Sequence, residues 1–529
     1  DTLYEQVAPK VKEAETNQDP SAYYLALREF TWAFKDGHVG LSTSSGVDYP
    51  IFLEATSGGY GFAIRGLDDG SVIVTYLTDN GPAAEAGLEI GAVVTEWNGE
   101  PIDDAISKVQ PLSAPHSTDF SLRYQQERYL LRGPVGTEAT VTFTNPDGQP
   151  QTVTLTAIEE RDSFNATSIY AGVEESYLPV DFTILDSGVG YVSITSNYDD
   201  LNLMIRLFER ALKTFEEYGV PGIIIDMRYN SGGSPLGLAG FLTDQDIPLG
   251  QLNYYSEVTG EFEPEGLPEK VYPNQEQYKF DKMTLLVGQA CFSACEIEAY
   301  GFSQVPGMTV VGMYPSGGVE AEVGRGQFVL PDGMYLQFPT GRYTKADGSL
   351  FLEGTGVQTT LRVPITAETV LTDEDVELAV AEKAVLLPLG AGITPEAPPK
   401  LISGADAEAL LLSGASFFED IAREEYTSDE LELQGQTFPY TVSLSASKPL
   451  VWAYGWCATD QATLDQNFAD MKVDFLMEGT ALTADQISTY EYTSSGVNCR
   501  VDYVVLDDWQ GGEHHFETQV TFKTTINDG

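Results

Sequence analysis

The sequence predicts a multidomain chain of α/β and β architecture, divided into a helical N-terminal segment (1–48), a β-rich domain (49–162), an α/β core (163–392), a linker (393–429) and a terminal β domain (430–529). Three observations predict this. The hydrophobic period changes from helical to alternating near residue 50. Strand and helix patterns then alternate over 180–390. From 430 onward Thr, Val and Tyr alternate between turns. A length of 529 residues, at roughly 150 per domain, fits three or four domains.

In the first segment Tyr23, Leu27, Phe30 and Phe34 fall on one helical face, with Asp19-Pro20 as a start signal and Gly37 as a stop. His38 therefore follows a helix C-terminus, a setting that favours an imidazolium. In the second, Ser71–Val74, Ala92–Thr95, Ala139–Thr144 and Thr152–Ala157 read as strands, Gly81–Leu88 as a short helix, and Pro146-Asp147-Gly148 as a turn. In the core, strand Val189–Thr195, amphipathic helix Asp199–Tyr218 and strand Gly222–Met227 make a β-α-β unit with a right-handed crossover. Strand Met283–Val287 leads through a turn into a helix from about Ala294. The Pro-rich stretch Pro395–Pro399 reads as linker. Trp452, Trp456 and Trp509 among alternating Val and Thr suggest an Ig-like β-sandwich at the end.

The chain carries 28 Lys and Arg against 80 Asp and Glu, a formal charge of −52. Binding a phosphate backbone needs clustered cations, so nucleic acid and anionic membrane surfaces are poor partners. The 42% hydrophobic and 11% aromatic content rules out a disordered acidic tail. No apolar run is long enough for a membrane span. The acidity fits an exported surface, or colloidal solubility alone. No leader pattern stands at Asp1, so any export signal is read either as removed or as never part of this sequence.

Ser293 follows a strand and a sharp turn and opens a helix, where unpaired N–H groups can hold an oxyanion. On position alone it is also an ordinary N-cap. Strand 222–227 runs into Asn230-Ser231-Gly232-Gly233, whose paired glycines allow close backbone approach to a ligand. Of four histidines, His514 and His515 sit in an exposed-looking turn and His116 in a polar stretch, which leaves His38 as the candidate base. No Cys or His spacing suggests zinc and no calcium loop appears, so neither metal nor cofactor is expected.

Phe292-Ser293-Ala294-Cys295-Glu296-Ile297 resembles the nucleophile segment of the C-terminal processing peptidase and tricorn protease family. Asp226 to Gly233 resembles its Asp-x-Arg-x-Asn-x-Gly-Gly segment, and Leu352–Val357 its late Glu-x-x-Gly-Val element. Residues 50–160 resemble the PDZ domain of many members, with Gly59-Tyr60-Gly61-Phe62 as the carboxylate-binding loop. The resemblance spans roughly 20–390 and implies a ClpP/crotonase-like peptidase core.

Two catalytic styles occur in that family. A Ser–Lys dyad lacks its lysine here, since none occurs between Ser293 and Lys345 and the relevant loop reads Met313-Tyr314-Pro315-Ser316-Gly317-Gly318. The tricorn-like style needs an N-terminal His and a late Glu, and His38 (in Asp36-Gly37-His38) and Glu353 supply them. The resemblance thus implies a Ser293–His38–Glu353 site, with Ala294 and Gly232 or Gly233 forming the oxyanion hole.

The expected activity is a secreted or extracytoplasmic serine endopeptidase acting on extended or unfolded polypeptides, with PDZ recognition of C-terminal tails, an optional lipid anchor in the precursor and room for a homo-oligomer. Rival readings are a non-enzymatic binder of peptides or hydrophobic ligands on the same fold, and an adaptor. Cys457 and Cys499 are read either as an inter-sheet disulfide or as buried thiols. A bridge between Cys291 and Cys295 is disfavoured by the helix start between them.

Overall fold

The computed structural model describes residues 2–526 apart from 114, 147, 172, 174–177, 236, 387–398, 419–420, 422–448, 495, 508, 510–513 and 525. The chain forms two compact units, Asp1–Thr359 with Val363–Leu386, and Thr360–Arg362 with Leu387–Gly529. No helix among the described residues is long and apolar enough to cross a membrane.

The first unit is built on a sheet in which Val180–Ile184, Gly190–Ile194, Ile223–Asp226, Met283–Leu286 and Met308–Gly312 lie side by side in that order. The first pair is antiparallel and the rest are parallel, as the expected β-α-β unit requires. Helix Leu201–Tyr218 starts where Asp200 accepts the Leu203 N–H and ends on Gly219 in the left-handed conformation. It buries Met204, Phe208, Leu212 and Phe215 against Ile223 and Ile225. Ile224 alternates to the opposite face, where helix Val376–Leu386 packs on the same strands. Burial on both faces explains the unbroken apolar run of this strand.

The N-terminal segment forms helices Thr2–Asn17 and Pro20–Trp32, the second capped by Asp19 on the Ser21 and Ala22 N–H groups. It ends earlier than Gly37 suggested. Strand Gly40–Thr43 then pairs antiparallel with Met334–Gln337, so the start of the chain is stitched to a segment late in the core. Tyr24, Leu41 and Met334 form the small core behind this pairing, and Phe30, Phe34 and Phe338 stack edge to face beside it.

The expected β-rich domain is a sheet in the order Phe62–Gly66, Val72–Leu77, Val93–Trp97, Glu138–Thr144, Gln151–Thr156, around a core that includes Phe62, Val74, Trp97 and Phe143. The short helix is Pro82–Glu85. Asp147 of the expected turn lies outside the described residues.

In the second unit the structure corrects two expectations. The linker expected over 393–429 contains strand Lys400–Ile402, paired with Val497–Asp507, and helix Gly404–Leu412; most of its Pro-rich start lies outside the described residues. The described residues of the terminal region do not establish the expected Ig-like sandwich. Its main sheet packs helix residue Ala407 on one face, against Val451, Tyr503 and Val505. On the other face Trp452, Val504 and Leu506 meet Phe475 of a second sheet. The consecutive apolar residues Val504-Val505-Leu506 and Val451-Trp452 thus serve both faces, a pattern that a sandwich strand with one side in water lacks. Cys457 and Cys499 do form a disulfide, but they sit opposite each other on adjacent strands of one sheet rather than between sheets.

Met334 is fully buried under the Gly40–Thr43 pairing. Met334→Ala is expected to cost about 3 kcal/mol in urea unfolding, within the usual range for a large-to-small core change.

Candidate active site

Strand Met283–Leu286 runs into a turn closed by the Cys291 N–H on Gly288 O, and helix Ala294–Ser303 follows. Ser293, at the junction, has φ +60° and ψ −131°, in the positive-φ region that L residues avoid. Its side chain caps nothing, so the plain N-cap role is not the one it fills. Its N–H donates to Val319 O at 2.7 Å. Cys291 and Cys295 bridge across it as a buried disulfide, contrary to expectation. The helix start does not separate them, because the turn through Ser293 brings their Cα atoms to 5.4 Å.

The Ser293 hydroxyl faces His38. Nε2 lies 3.2 Å from Oγ, across 255 positions of sequence. The strand pairing places the imidazole, and Gln337 Nε2 donates to His38 O at 3.0 Å, while the His38 N–H donates to Asp36 Oδ1 at 2.8 Å. The expected imidazolium is not favoured. Helix Pro20–Trp32 ends six positions before His38, too far for its dipole, and burial pushes the imidazole pKa down to about 4. Burial thus favours the neutral form of the His38 imidazole at pH 7.

Glu353 stands beside it. A ring nitrogen of His38 and one carboxylate oxygen each of Asp36 and Glu353 lie within 4.8 Å of one another. Glu353 Oε2 accepts the Glu320 N–H at 2.7 Å, while Oε1 and His38 Nδ1 are buried without a hydrogen-bond partner among the described residues. Burial, then the nearby Asp36, pushes Glu353 up to about 8, against the opposing pull of the Ser117 hydroxyl. Glu320, 1% exposed with neither oxygen hydrogen-bonded, is pushed well up by burial and by surrounding carboxylates.

The glycine segment closes the other side. Gly232 has φ +95°, and a Cβ there would stand 2.8 Å from Phe292 O and from Ser293 Cβ and 3.2 Å from the Ala294 nitrogen. Only glycine fits. The Gly232 N–H is engaged by Asn230 Oδ1 at 2.9 Å. The N–H groups of Gly233 and Ala294 have no hydrogen bond among the described residues. Asn230 in turn donates to Asn197 Oδ1, and Arg228 joins Asp226 and Asp375, each at 2.7 Å, which anchors the strand end from which this loop departs.

Sequence reasoning missed Glu296, although a carboxylate inside Ala294–Ala299 was a signal. It is fully buried and accepts hydrogen bonds from the Ser316 hydroxyl, the Gly318 N–H at 2.8 Å and the Val319 N–H at 2.6 Å. Burial pushes it up to about 7 against these donors. The loop that would carry a dyad lysine is thus occupied in holding Glu296, and through Val319 O it holds Ser293. Ser117 and Gln337 were also missed, because nothing local in their surroundings marks them.

Gly59–Phe62 lie elsewhere in the same unit. Gly58–Gly59 is paired on both sides, with Arg132–Gly133 and Ile158–Glu159. Tyr60 and Phe62 are buried, and Gly61 has φ +75°. Phe62–Gly66 is an edge strand, flanked along Phe62–Ile64 by Glu127, Arg128, Leu131 and Phe164.

Residues 188–363 match the model of peptidase family S41, and residues 51–114 match that of the PDZ domain. The chain carries an S41 peptidase domain and a PDZ domain. A sequence search of curated proteins finds no match. Among solved structures, this S41 chain is similar to mature CPAF complexed with lactacystin (15% identity, 72% of this chain and 93% of that one, TM-score 0.49). It is also similar to the photosystem II D1 C-terminal processing protease (18%, 67% and 87%, TM-score 0.30) and to the tricorn protease (16%, 73% and 34%, TM-score 0.31).

Glu296→Ala strands three buried donors, each worth about 1–3 kcal/mol, so a loss of roughly 3 kcal/mol or more is expected in thermal or urea unfolding of the S41 chain. Glu296→Gln keeps an acceptor and should cost clearly less.

Proposed function

We propose that the chain is a secreted serine endopeptidase that cleaves extended or unfolded polypeptides through Ser293, His38 and Glu353. The observation that carries this reading is the 3.2 Å approach of a neutral imidazole to a hydroxyl held at positive φ. His38 Nε2 takes the Ser293 proton as Oγ attacks the peptide carbonyl. The developing oxyanion is received by the N–H groups of Ala294 and Gly233, since that of Gly232 is already engaged; one such donor is typically worth about 3–4 kcal/mol. His38 then passes its proton to the leaving amine, and water hydrolyses the acyl-enzyme. Glu353 stabilises the imidazolium when ionised.

Two disulfides support an oxidising, extracytoplasmic compartment. Tail recognition by Gly59–Phe62 belongs to the proposal in a second conformation. In the present one helix Asp119–Leu130 lies along the strand edge a peptide would join, so it must withdraw first. Ser117, just before this helix, and Phe120, in its first turn, reach Glu353 and Tyr314 of the peptidase region, so that movement would be felt at the site.

Ser293→Ala should abolish hydrolysis of an unfolded polypeptide while leaving the unfolding transition in place; retained turnover refutes the assignment. The pH dependence is a separate test. Below about pH 8 Glu353 holds its proton and lends His38 no negative charge; above it, the anion appears. The profile of kcat/KM should therefore rise through about pH 8. Glu353→Gln should remove that step and lower the rate roughly 10²-fold. A profile flat from about pH 6 to 9, or unchanged in the variant, contradicts the role.

A further inference from the structure

Sequence spacing gave no metal site, but folding brings three donor side chains together from distant positions. Asp36, His38 and Glu353 bring three donor atoms within 4.8 Å of one another. Two donors in this cluster are unspent: His38 Nδ1 and Glu353 Oε1 are buried with no hydrogen-bond partner among the described residues. A fourth group, Glu320, is 1% exposed with neither oxygen hydrogen-bonded among the described residues, and its backbone N–H donates to Glu353. After burial, the charges that act on Glu320 and Glu353 are those of other carboxylates, Glu296 and Asp36 among them. Unpaired buried acids beside an unpaired imidazole nitrogen cost folding energy that a bound cation would offset.

We propose that Asp36, His38 Nδ1 and Glu353 form an inhibitory site for a divalent transition-metal ion of the Zn2+ type, with Glu320, whose backbone N–H donates to Glu353, as a further buried carboxylate. An imidazole nitrogen with carboxylates suits Zn2+, whereas Mg2+ and Ca2+ call for all-oxygen sets of about six or more ligands. The ion takes the Nδ1 lone pair and displaces the Glu353 carboxyl proton to solvent. The single proton of the neutral ring, on Nδ1 in the catalytic tautomer, is thereby moved to Nε2, which donates to Ser293 Oγ and cannot accept from it. The metal and the catalytic proton thus compete for one ring.

The inhibitory consequence rests on the proposed peptidase reading; the binding does not. Zn2+ binding is therefore measured first on the full chain carrying Ser293→Ala, by calorimetry and by equilibrium dialysis with metal analysis. One site per chain is expected, unaffected by excess Mg2+ or Ca2+ and weakened roughly tenfold or more by Asp36→Asn and by His38→Gln. In the chain with Ser293, Zn2+ should suppress labelling by a fluorophosphonate with a midpoint equal to the binding constant. Circular dichroism of each variant confirms folding. Absence of a stoichiometric site, or a site that survives both substitutions undiminished, overturns the proposal. Binding as expected without any labelling activity leaves the metal site standing and sinks the peptidase reading instead.

Discussion

Four residues of antiparallel pairing govern this site. Gly40–Thr43 against Met334–Gln337 is the interaction that carries an imidazole from the start of the chain to a hydroxyl in the middle of the core. A strand ladder is well suited to this, because its register fixes each residue against its partner, and a one-residue slip would turn every side chain to the other face. Tyr24, Leu41 and Met334 make such a slip costly by packing one face of the ladder. Position at the site is thus a consequence of hydrophobic burial some distance from the reacting atoms.

The electrostatics follow from the same burial. Removal from water keeps His38 uncharged and pushes Glu296, Glu320 and Glu353 toward their protonated forms. A chain with 80 acidic residues can place several of them in one interior region only if they are neutral, hydrogen-bonded or neutralised by a cation. Glu296 takes the second course, with three donors. Glu320 has no hydrogen bond to either oxygen among the described residues, and burial favours its neutral form.

Much of this was legible in the sequence because the elements have strong local signals. The run Gly222–Met227 is apolar on both faces, and Asp200 and Gly219 bracket a helix whose apolar stripe is unbroken. Ser293, Gly232 and His38 were found because motif context singled them out, and the structure brings them together. What stayed hidden depends on contacts between distant segments. Ser117 and Gln337 have nothing unusual beside them in sequence. The Cys291–Cys295 bridge was disfavoured on helix geometry, yet a positive-φ residue between the two cysteines bends the chain enough to close it. The Ig-like expectation rested on tryptophans and alternation, whereas the apolar doublets Val451-Trp452 and Val504-Val505 mark a sheet covered on both faces.

The central claim is that His38 activates Ser293. The second-order rate of fluorophosphonate labelling of Ser293 tests it without any assumption about the natural substrate. Replacing His38 by Gln should slow labelling roughly 10³-fold, the scale of a lost general base. Equal rates in the two proteins would show that the hydroxyl reacts without the imidazole, and the account would be wrong at its base.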